Sequence, residues 1–193
     1  MRRLTYGNTN TFFIDGAGGG LLVDTGYAGT LPAFWKALKQ NGLRVKDIAY
    51  VMATHYHPDH MGLIGELMKQ GAKLLLPDVQ RDFVHFSDDI FARDGLSVAP
   101  VDETEAAVIS CGDSREFLRG LGISGEIIHT PSHSEDSVCL VLDSGDCFAG
   151  DLEPPEHIGL YDGNDGLRRD WDRLLSLRPR RIWYAHRPEE TLR

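Results

Sequence analysis

The stretch Thr54-His55-Tyr56-His57-Pro58-Asp59-His60-Met61-Gly62 constrains this chain more than any other. From His55 to His60 it carries three imidazoles and a carboxylate, the nitrogen and oxygen donors that Zn²⁺ and other borderline divalent cations prefer. The run Ile48 to Ala53 before it reads as a buried strand. Leu63, Ile64, Leu67 and Met68 after it recur at helical spacing, which predicts a helix over about 60–70 and puts the motif on a strand-to-helix turn. Pro58 lacks an N–H and keeps His57 out of the helical region, so the chain stays extended through His55 and His57. Extended residues two apart share a face, and these two imidazoles can grip one ion. Asp59 and His60 are left to face a neighbouring position, so the two geometries suggest two metals. A lone histidine at a strand end is most often a surface or core residue. Three with an aspartate at this density, in a chain holding eight His, reverse that expectation.

The length of 193 residues suits one substantial core, which predicts one domain over 1–193. A net charge of −9 argues against a sequence-independent hold on nucleic acid, since phosphate neutralisation needs clustered Lys and Arg. The short Arg178, Arg180, Arg181 group reads as a solvated strand entrance. No apolar segment approaches the length of a membrane span, and no apolar region follows Met1-Arg2-Arg3-Leu4 as in a secretory signal. With three widely spaced Cys, these features lead us to expect a reduced, cytoplasmic protein acting on a small molecule. They say nothing of its oligomeric state.

Along the chain, residues 4–6, Phe12 to Ile14 and Leu21 to Val23 read as strands, with Asp15 to Gly20 as a turn. Thr30 is expected to cap a helix that ends before Gly42. After the strand at 48–53, the motif and its helix come a strand over Lys73 to Leu76 and an acidic, aromatic segment over 77–104. Loops of that length beside a site often form its wall. Val108-Ile109, a helix over Ser114 to Leu121, strands over Glu126 to Thr130, Ser137 to Leu142 and Cys147 to Ala149, a helix over about Leu167 to Leu177 and a strand over Ile182 to Tyr184 complete the series. Three polar residues, His133, Asp151 and His186, each follow a strand end, as His55 does. Strands followed by helix, given twice, suggest two packed sheets flanked by helices with strand ends converging at one edge. Asp24, at the end of the third strand, is placed either to orient a liganding His or simply to cap its turn.

With THxHxDH at Thr54 to His60, Thr130-Pro131-Ser132-His133, Gly150-Asp151, the strand-end His186 and Asp24-Thr25-Gly26, the chain resembles the metallo-β-lactamase superfamily over nearly its whole length. The resemblance implies an α/β fold, the four-layer αββα sandwich, with the site at one edge of its two sheets. It implies that His55, His57 and His133 hold one metal, that Asp59, His60 and His186 hold another, and that Asp151 bridges them. The family usually has Gly where this chain has Ser132 and Ala185, which predicts altered backbone room rather than a lost site. Asp at 151 resembles the thioesterase and lactonase branches, whereas antibiotic-cleaving branches usually place Cys or Ser there. Only the residues to Arg193 follow His186, so the helical glutathione-binding domain of glyoxalase II is not expected, and its substrate is not carried over.

The expected activity is metal-dependent hydrolysis of an ester, thioester or lactone, with two Zn²⁺ per chain, or Fe or Mn in their place, sharing a hydroxide that Asp59 orients. Two other readings accompany it: a mononuclear iron enzyme that oxygenates sulfur compounds such as persulfides, and a metal-stabilised binding module without turnover. His129 is expected to be a supporting or core residue, and His85 stands outside the metal set. His157, Tyr161, Arg168 and Arg187 are residues that a substrate in the site could reach.

Overall fold

The computed structural model describes residues 1–160 and 163–192; Tyr161 lies outside them. Strands β1 (Arg2–Thr5), β2 (Asn10–Ile14), β3 (Gly20–Val23), β4 (Ile48–Met52), β5 (Lys73–Pro77) and β6 (Ala107–Ile109) form one sheet in chain order. Strands β7 (Gly125–His129), β8 (Val138–Leu142), β9 (Asp146–Gly150), β10 (Arg181–Tyr184) and β11 (Glu190–Thr191) form the second, in the order β11-β10-β9-β8-β7. The helices are α1 (Leu31–Gln40), α2 (Pro58–Met61), α3 (Ile64–Lys69), α4 (Asp88–Arg93), α5 (Ser114–Gly120) and α6 (Asp165–Ser176).

Period-two alternation sorts the strand side chains into layers. Phe12, Ile14, Leu21, Val23, Met52 and Leu75 of the first sheet meet Ile127, Val138, Leu140, Phe148 and Trp183 of the second in a core between them. Their alternate neighbours Phe13, Leu22, Val51, Leu74 and Leu76 turn outward and are covered by Phe34 and Leu38 of α1, Ile64 and Leu67 of α3 and Phe91 of α4. On the far side, Cys139, Val141, Cys147, Ile182 and Tyr184 pack under Leu167, Trp171 and Leu174 of α6. The layers are therefore α, β, β, α, as expected. Each such fully buried apolar side chain contributes about 1.5–3 kcal/mol relative to an exposed one.

Strand ends meet at one edge. The Asp24 N–H donates to Met52 O (2.9 Å) and the Val138 N–H to Thr54 O (2.8 Å), the latter tying one sheet to the other. The Ala185 N–H donates to Gly150 O (2.9 Å). Ala185 is fully buried, so a methyl group is accommodated where the family usually has Gly. Ser132 likewise finds a place, its N–H donating to Asp170 Oδ2 of α6 (2.9 Å).

The helix expected over 60–70 is broken into α2 and α3. The hydroxyl of Thr25 donates to His60 O (3.1 Å) and accepts the Leu63 N–H (3.1 Å), ending α2 after one turn. The loop that carries Thr25 then packs on Gly62, where a Cβ would lie 2.3 Å from Ala28 N and 2.7 Å from Gly26 O. Backbone atoms cannot step aside as a side chain can, so Gly62→Ala is expected to lower stability by about 1–3 kcal/mol, read as a lower urea midpoint at unchanged slope. Thr30 also departs from expectation: it precedes α1, but its hydroxyl donates to Tyr27 O (2.6 Å) instead of capping the helix.

The acidic segment over 77–104 contains a 3₁₀ turn (Asp78–Phe83), α4 and, at its end, a second 3₁₀ turn (Glu103–Glu105). His85 holds it together, with Nδ1 2.8 Å from Asp88 Oδ2 and Nε2 3.1 Å from Glu103 Oε2. The Asp88 hydrogen bond, opposed by slight burial and helped by Glu103, raises the His85 pKa above 6.5. Its stabilisation is fully present below about 6.5 and is lost as pH rises through the raised folded value. Half of the side chain is exposed, which limits the effect to about 1 kcal/mol or less. The Tm gap between the protein and His85→Ala should therefore close between pH 6 and pH 9; an equal gap at both would contradict this.

Candidate metal centre

His55 to His60 begin at the end of β4, His133 follows β7, Asp151 follows β9 and His186 follows β10. The structure brings all of these side chains into one cluster. In its first part His55 Nε2 lies 2.9 Å from His57 Nδ1, and His133 Nε2 lies 3.2 and 3.3 Å from those two atoms. In its second part His186 Nε2 lies 3.0 Å from Asp59 Oδ2 and 3.3 Å from His60 Nε2, while Asp59 Oδ1 is 3.9 Å from His60 Nε2. Asp151 stands between them. Its Oδ2 lies 3.4 Å from His60 Nε2, 3.8 Å from His133 Nε2 and 4.0 Å from His55 Nε2, and its Oδ1 3.4 Å from His186 Nε2.

The donor set and its spacing fit divalent cations. Nitrogens held tetrahedrally at about 2.0–2.1 Å from one ion stand roughly 3.3 Å apart, close to the 2.9–3.3 Å triangle of His55, His57 and His133. Three imidazoles on one side, with imidazole and carboxylate on the other, match Zn, Fe or Mn better than the all-oxygen preference of Ca or Mg. Such a set leaves room for a substrate: His55 and His60 are buried, while Asp59, His133, Asp151 and His186 keep between 19% and 33% of their side chains exposed. Beside them runs a groove of about 330 Å³ lined by His133, Asp151, Glu153, Tyr184, His186 and Arg187.

Protonation is set by the surroundings. Burial, followed by the neighbouring imidazoles, holds His55 well below the usual histidine range. Burial also lowers His133, so both favour the neutral form that can donate a lone pair. Burial works against a charge on His60, but the carboxylates of Asp24 and Asp151 outweigh it and push the pKa up to about 10. His186 is raised by its hydrogen bond to Asp59. Burial would raise Asp59, yet the His186 hydrogen bond and the charge of His60 bring it down to about 2. Asp151 is lowered in the same way, its burial outweighed by the His60 hydrogen bond and charge. Protons on His60 and His186 thus balance the charge of these carboxylates, a role that divalent cations would take over on binding.

A ring of supporting contacts aims the imidazoles. The Asp24 Oδ2 lies 3.2 Å from His60 Nδ1, leaving Nε2 for the cluster. Asp24 is 1% exposed and its Oδ1 accepts the Thr54 N–H (2.6 Å), so it also fixes the start of the motif. His186 Nδ1 donates to Asn8 O (2.8 Å), and the Thr9 hydroxyl to Asp59 O (2.9 Å). Gly150 has φ +56, and a Cβ there would lie 2.4 Å from Thr54 Oγ1, which explains a glycine just before Asp151.

Sequence reasoning missed several of these supports. Asp136, buried at 3% exposure, accepts the Tyr56 N–H on Oδ2 (2.7 Å) and the Ser134 hydroxyl on Oδ1 (2.7 Å), joining the motif to the His133 loop. Gln80 Nε2 donates to the carbonyls of Ala53, Thr54 and Asp136 (3.0–3.2 Å). The only local hint was an acid in the Ser-rich turn after His133; nothing marked Gln80. The other histidines stand apart: His129 Nε2 bonds Glu135 O (2.7 Å), and His157 Nδ1 bonds Glu153 Oε2 (3.2 Å). Arg187 lies over the Tyr184 ring, 4.9 Å from its centroid, and lines the groove.

Comparison with known proteins agrees with this edge-of-two-sheets architecture. The family model of the metallo-β-lactamase superfamily matches residues 4–186, and the chain belongs to that superfamily. Among curated proteins, a beta-lactamase-like protein 2 homolog of Drosophila melanogaster is 26% identical over 185 residues, covering 95% of this chain and 60% of the relative. An atrochrysone carboxyl ACP thioesterase of Passalora fulva is 27% identical over 143 residues, covering 73% of this chain and 35% of the relative. The chain thus spans 60% or less of these relatives' length. Among solved structures, a metallo-beta-lactamase family protein from Thermus thermophilus superposes with a TM-score of 0.72 at 24% identity, over 95% of this chain and 70% of that one. The protein TTHA1623, solved in a di-iron-bound form, gives 0.73 at 23% identity, over 99% and 94%. At these identities the solved structures show the fold alone.

Among the described residues, no helix is long and apolar enough to cross a membrane.

Proposed function

We propose that the protein is a metal-dependent hydrolase of small-molecule esters, thioesters or lactones, with a binuclear centre held by His55, His57, Asp59, His60, His133, Asp151 and His186. The observation that carries this reading is the position of Asp151 between the two halves of the cluster, with Oδ2 3.4 Å from His60 Nε2 and 3.8–4.0 Å from His133 Nε2 and His55 Nε2, and Oδ1 3.4 Å from His186 Nε2. The thioesterase names of curated relatives and the di-iron form of one structural neighbour support hydrolysis and a two-metal centre, at identities that leave both for experiment.

When bound, divalent cations supply Lewis acidity, polarising a carbonyl oxygen and making water acidic enough to attack near neutral pH. The chain's own groups provide the rest. Ligands on several strand ends are fixed by the two sheets, which position them more firmly than a mobile loop does. Asp59, ionised and paired with His186, accepts a hydrogen bond from the attacking water and so orients it. The groove of His133, Tyr184 and Arg187 receives the leaving group.

Elemental analysis of the purified protein, then chelation and reconstitution with Zn²⁺, Fe²⁺ or Mn²⁺ against a panel of esters, thioesters and lactones, tests this. Two cations per chain and hydrolysis that disappears on chelation and returns with metal are expected. A protein that binds metal yet turns over none of the panel would be a binding module instead, and one iron per chain with oxygen uptake on a persulfide would make it an oxygenase.

A further inference from the structure

A cavity of about 60 Å³ adjoins the cluster, lined by Tyr56, His57, Phe83, Phe86, Ser134 and Asp136. One imidazole belongs to both: His57 forms part of this wall while its Nδ1 lies 2.9 Å from His55 Nε2 and 3.3 Å from His133 Nε2. A carbonyl at the cluster therefore has its substituent within about a ring's width of the cavity. Of the polar groups in the lining, Asp136 and Ser134 are already engaged, while the Tyr56 hydroxyl is buried with no hydrogen-bond partner among the described residues. Asp136 accepts from Tyr56 N–H and Ser134 Oγ, and the Ser134 and Ser137 hydroxyls are 2.7 Å apart. What the wall presents to a ligand is thus largely the rings of Tyr56, Phe83 and Phe86. Phe86 is 56% exposed and sits 5.9 Å from the His57 ring. An aromatic ring left half in water at the mouth of a cavity gains most from an apolar group that covers it.

We infer that this cavity seats a short alkyl chain on the acyl side of the substrate, so that short-chain acyl esters and thioesters are the substrate class. The inference rests on the hydrolase reading above. Size sets the chain: an apolar cavity of about 150 Å³ takes benzene, so by proportion this one takes about two to three carbons beyond the carbonyl, a propionyl or butyryl group. Longer chains would have to displace Phe83, which packs against the core over the first sheet.

The test is an acyl series on one thiol leaving group, acetyl, propionyl, butyryl and hexanoyl, with the metal-replete protein. From acetyl to butyryl, kcat/KM should rise about 4-fold per methylene, which is the roughly 0.8 kcal/mol of each buried CH₂. At hexanoyl it should fall about 10-fold, the scale of overpacking. Phe86→Ala, at an exposed position that threatens the fold little, should open the cavity and raise the hexanoyl-to-butyryl ratio about 10-fold as that overpacking is relieved. Phe83→Trp should fill it and bring the butyryl-to-acetyl ratio close to one; if that variant does not fold, Phe86→Ala decides alone. Metal-dependent hydrolysis without chain-length dependence, or with ratios unmoved by the variants, would overturn the inference and leave the hydrolase reading intact. Absence of turnover on the whole ester, thioester and lactone panel would overturn both.

Discussion

Replacing Asp151 by Ala is expected to lower metal content per chain and to abolish metal-dependent hydrolysis. The side chain faces both halves of the cluster, within 3.4 Å of His60 Nε2 and of His186 Nε2 and 3.8 Å of His133 Nε2. In the proposed binuclear centre its loss would remove a donor and a negative charge shared by the two halves, so the mutual repulsion of two cations there would no longer be offset. The effect should exceed the roughly 10–100-fold loss in affinity or activity that follows when only a group behind a ligand is removed. Asp151→Asn, which keeps an oxygen but no charge, should fall between. Metal per chain after dialysis and kcat/KM on the best panel substrate give the two readings. A fully active Asp151→Ala protein with two bound cations would remove Asp151 from the centre, and with it the observation on which the proposed function stands.

Local pattern made half of this site readable in the sequence. His55, His57, Asp59 and His60 are close because the chain is continuous there, and Pro58 dictates where extension ends and helix begins. His57 indeed has φ −67 and ψ 152, with α2 starting at Pro58. His133, Asp151 and His186 are brought in from far along the chain, and only their shared position after strand ends, with the family resemblance, pointed to them. The layers were legible from strands followed by helix, given twice, but which face each strand residue takes was not, since Phe12-Phe13-Ile14 and Leu74-Leu75-Leu76 are apolar throughout and serve the two cores alternately. Nor was the break at Gly62 legible. It depends on the Gly26 to Ala28 loop arriving from another part of the chain, which helical periodicity in Leu63 to Met68 cannot report. The buried supports Asp136, Gln80 and Asp170 were hidden because each acts through a partner remote in sequence, on Tyr56, Thr54 and Ser132 respectively.

Asp24→Ala should affect stability and metal binding together, although Asp24 is not among the proposed ligands. The residue is 1% exposed and has φ +59, a left-handed conformation that Asp and Asn tolerate better than other side chains and that costs Ala about 1–2 kcal/mol. Its carboxylate accepts from Thr54 N–H at 2.6 Å and Thr54 Oγ1 at 2.9 Å, and lies 3.2 Å from His60 Nδ1. Truncation leaves a buried N–H and an imidazole without their partner, and breaking a buried charged pair in this way typically costs about 3–5 kcal/mol. His60 then loses the contact that turns Nε2 toward the cluster, so metal affinity should drop by about 10–100-fold as well. Asp24→Asn separates the two effects. It keeps the backbone preference and an oxygen for Thr54 N–H, so most of the stability should return. Its amide is neutral, however, and cannot strengthen the basicity of His60 as a carboxylate does, so the metal defect should persist. Urea midpoints and competitive chelator titrations on the same preparations distinguish these outcomes. An Asp24→Asn protein whose affinity matches the unaltered chain would show that Asp24 only closes its turn, the simpler of the two roles its place after β3 allows.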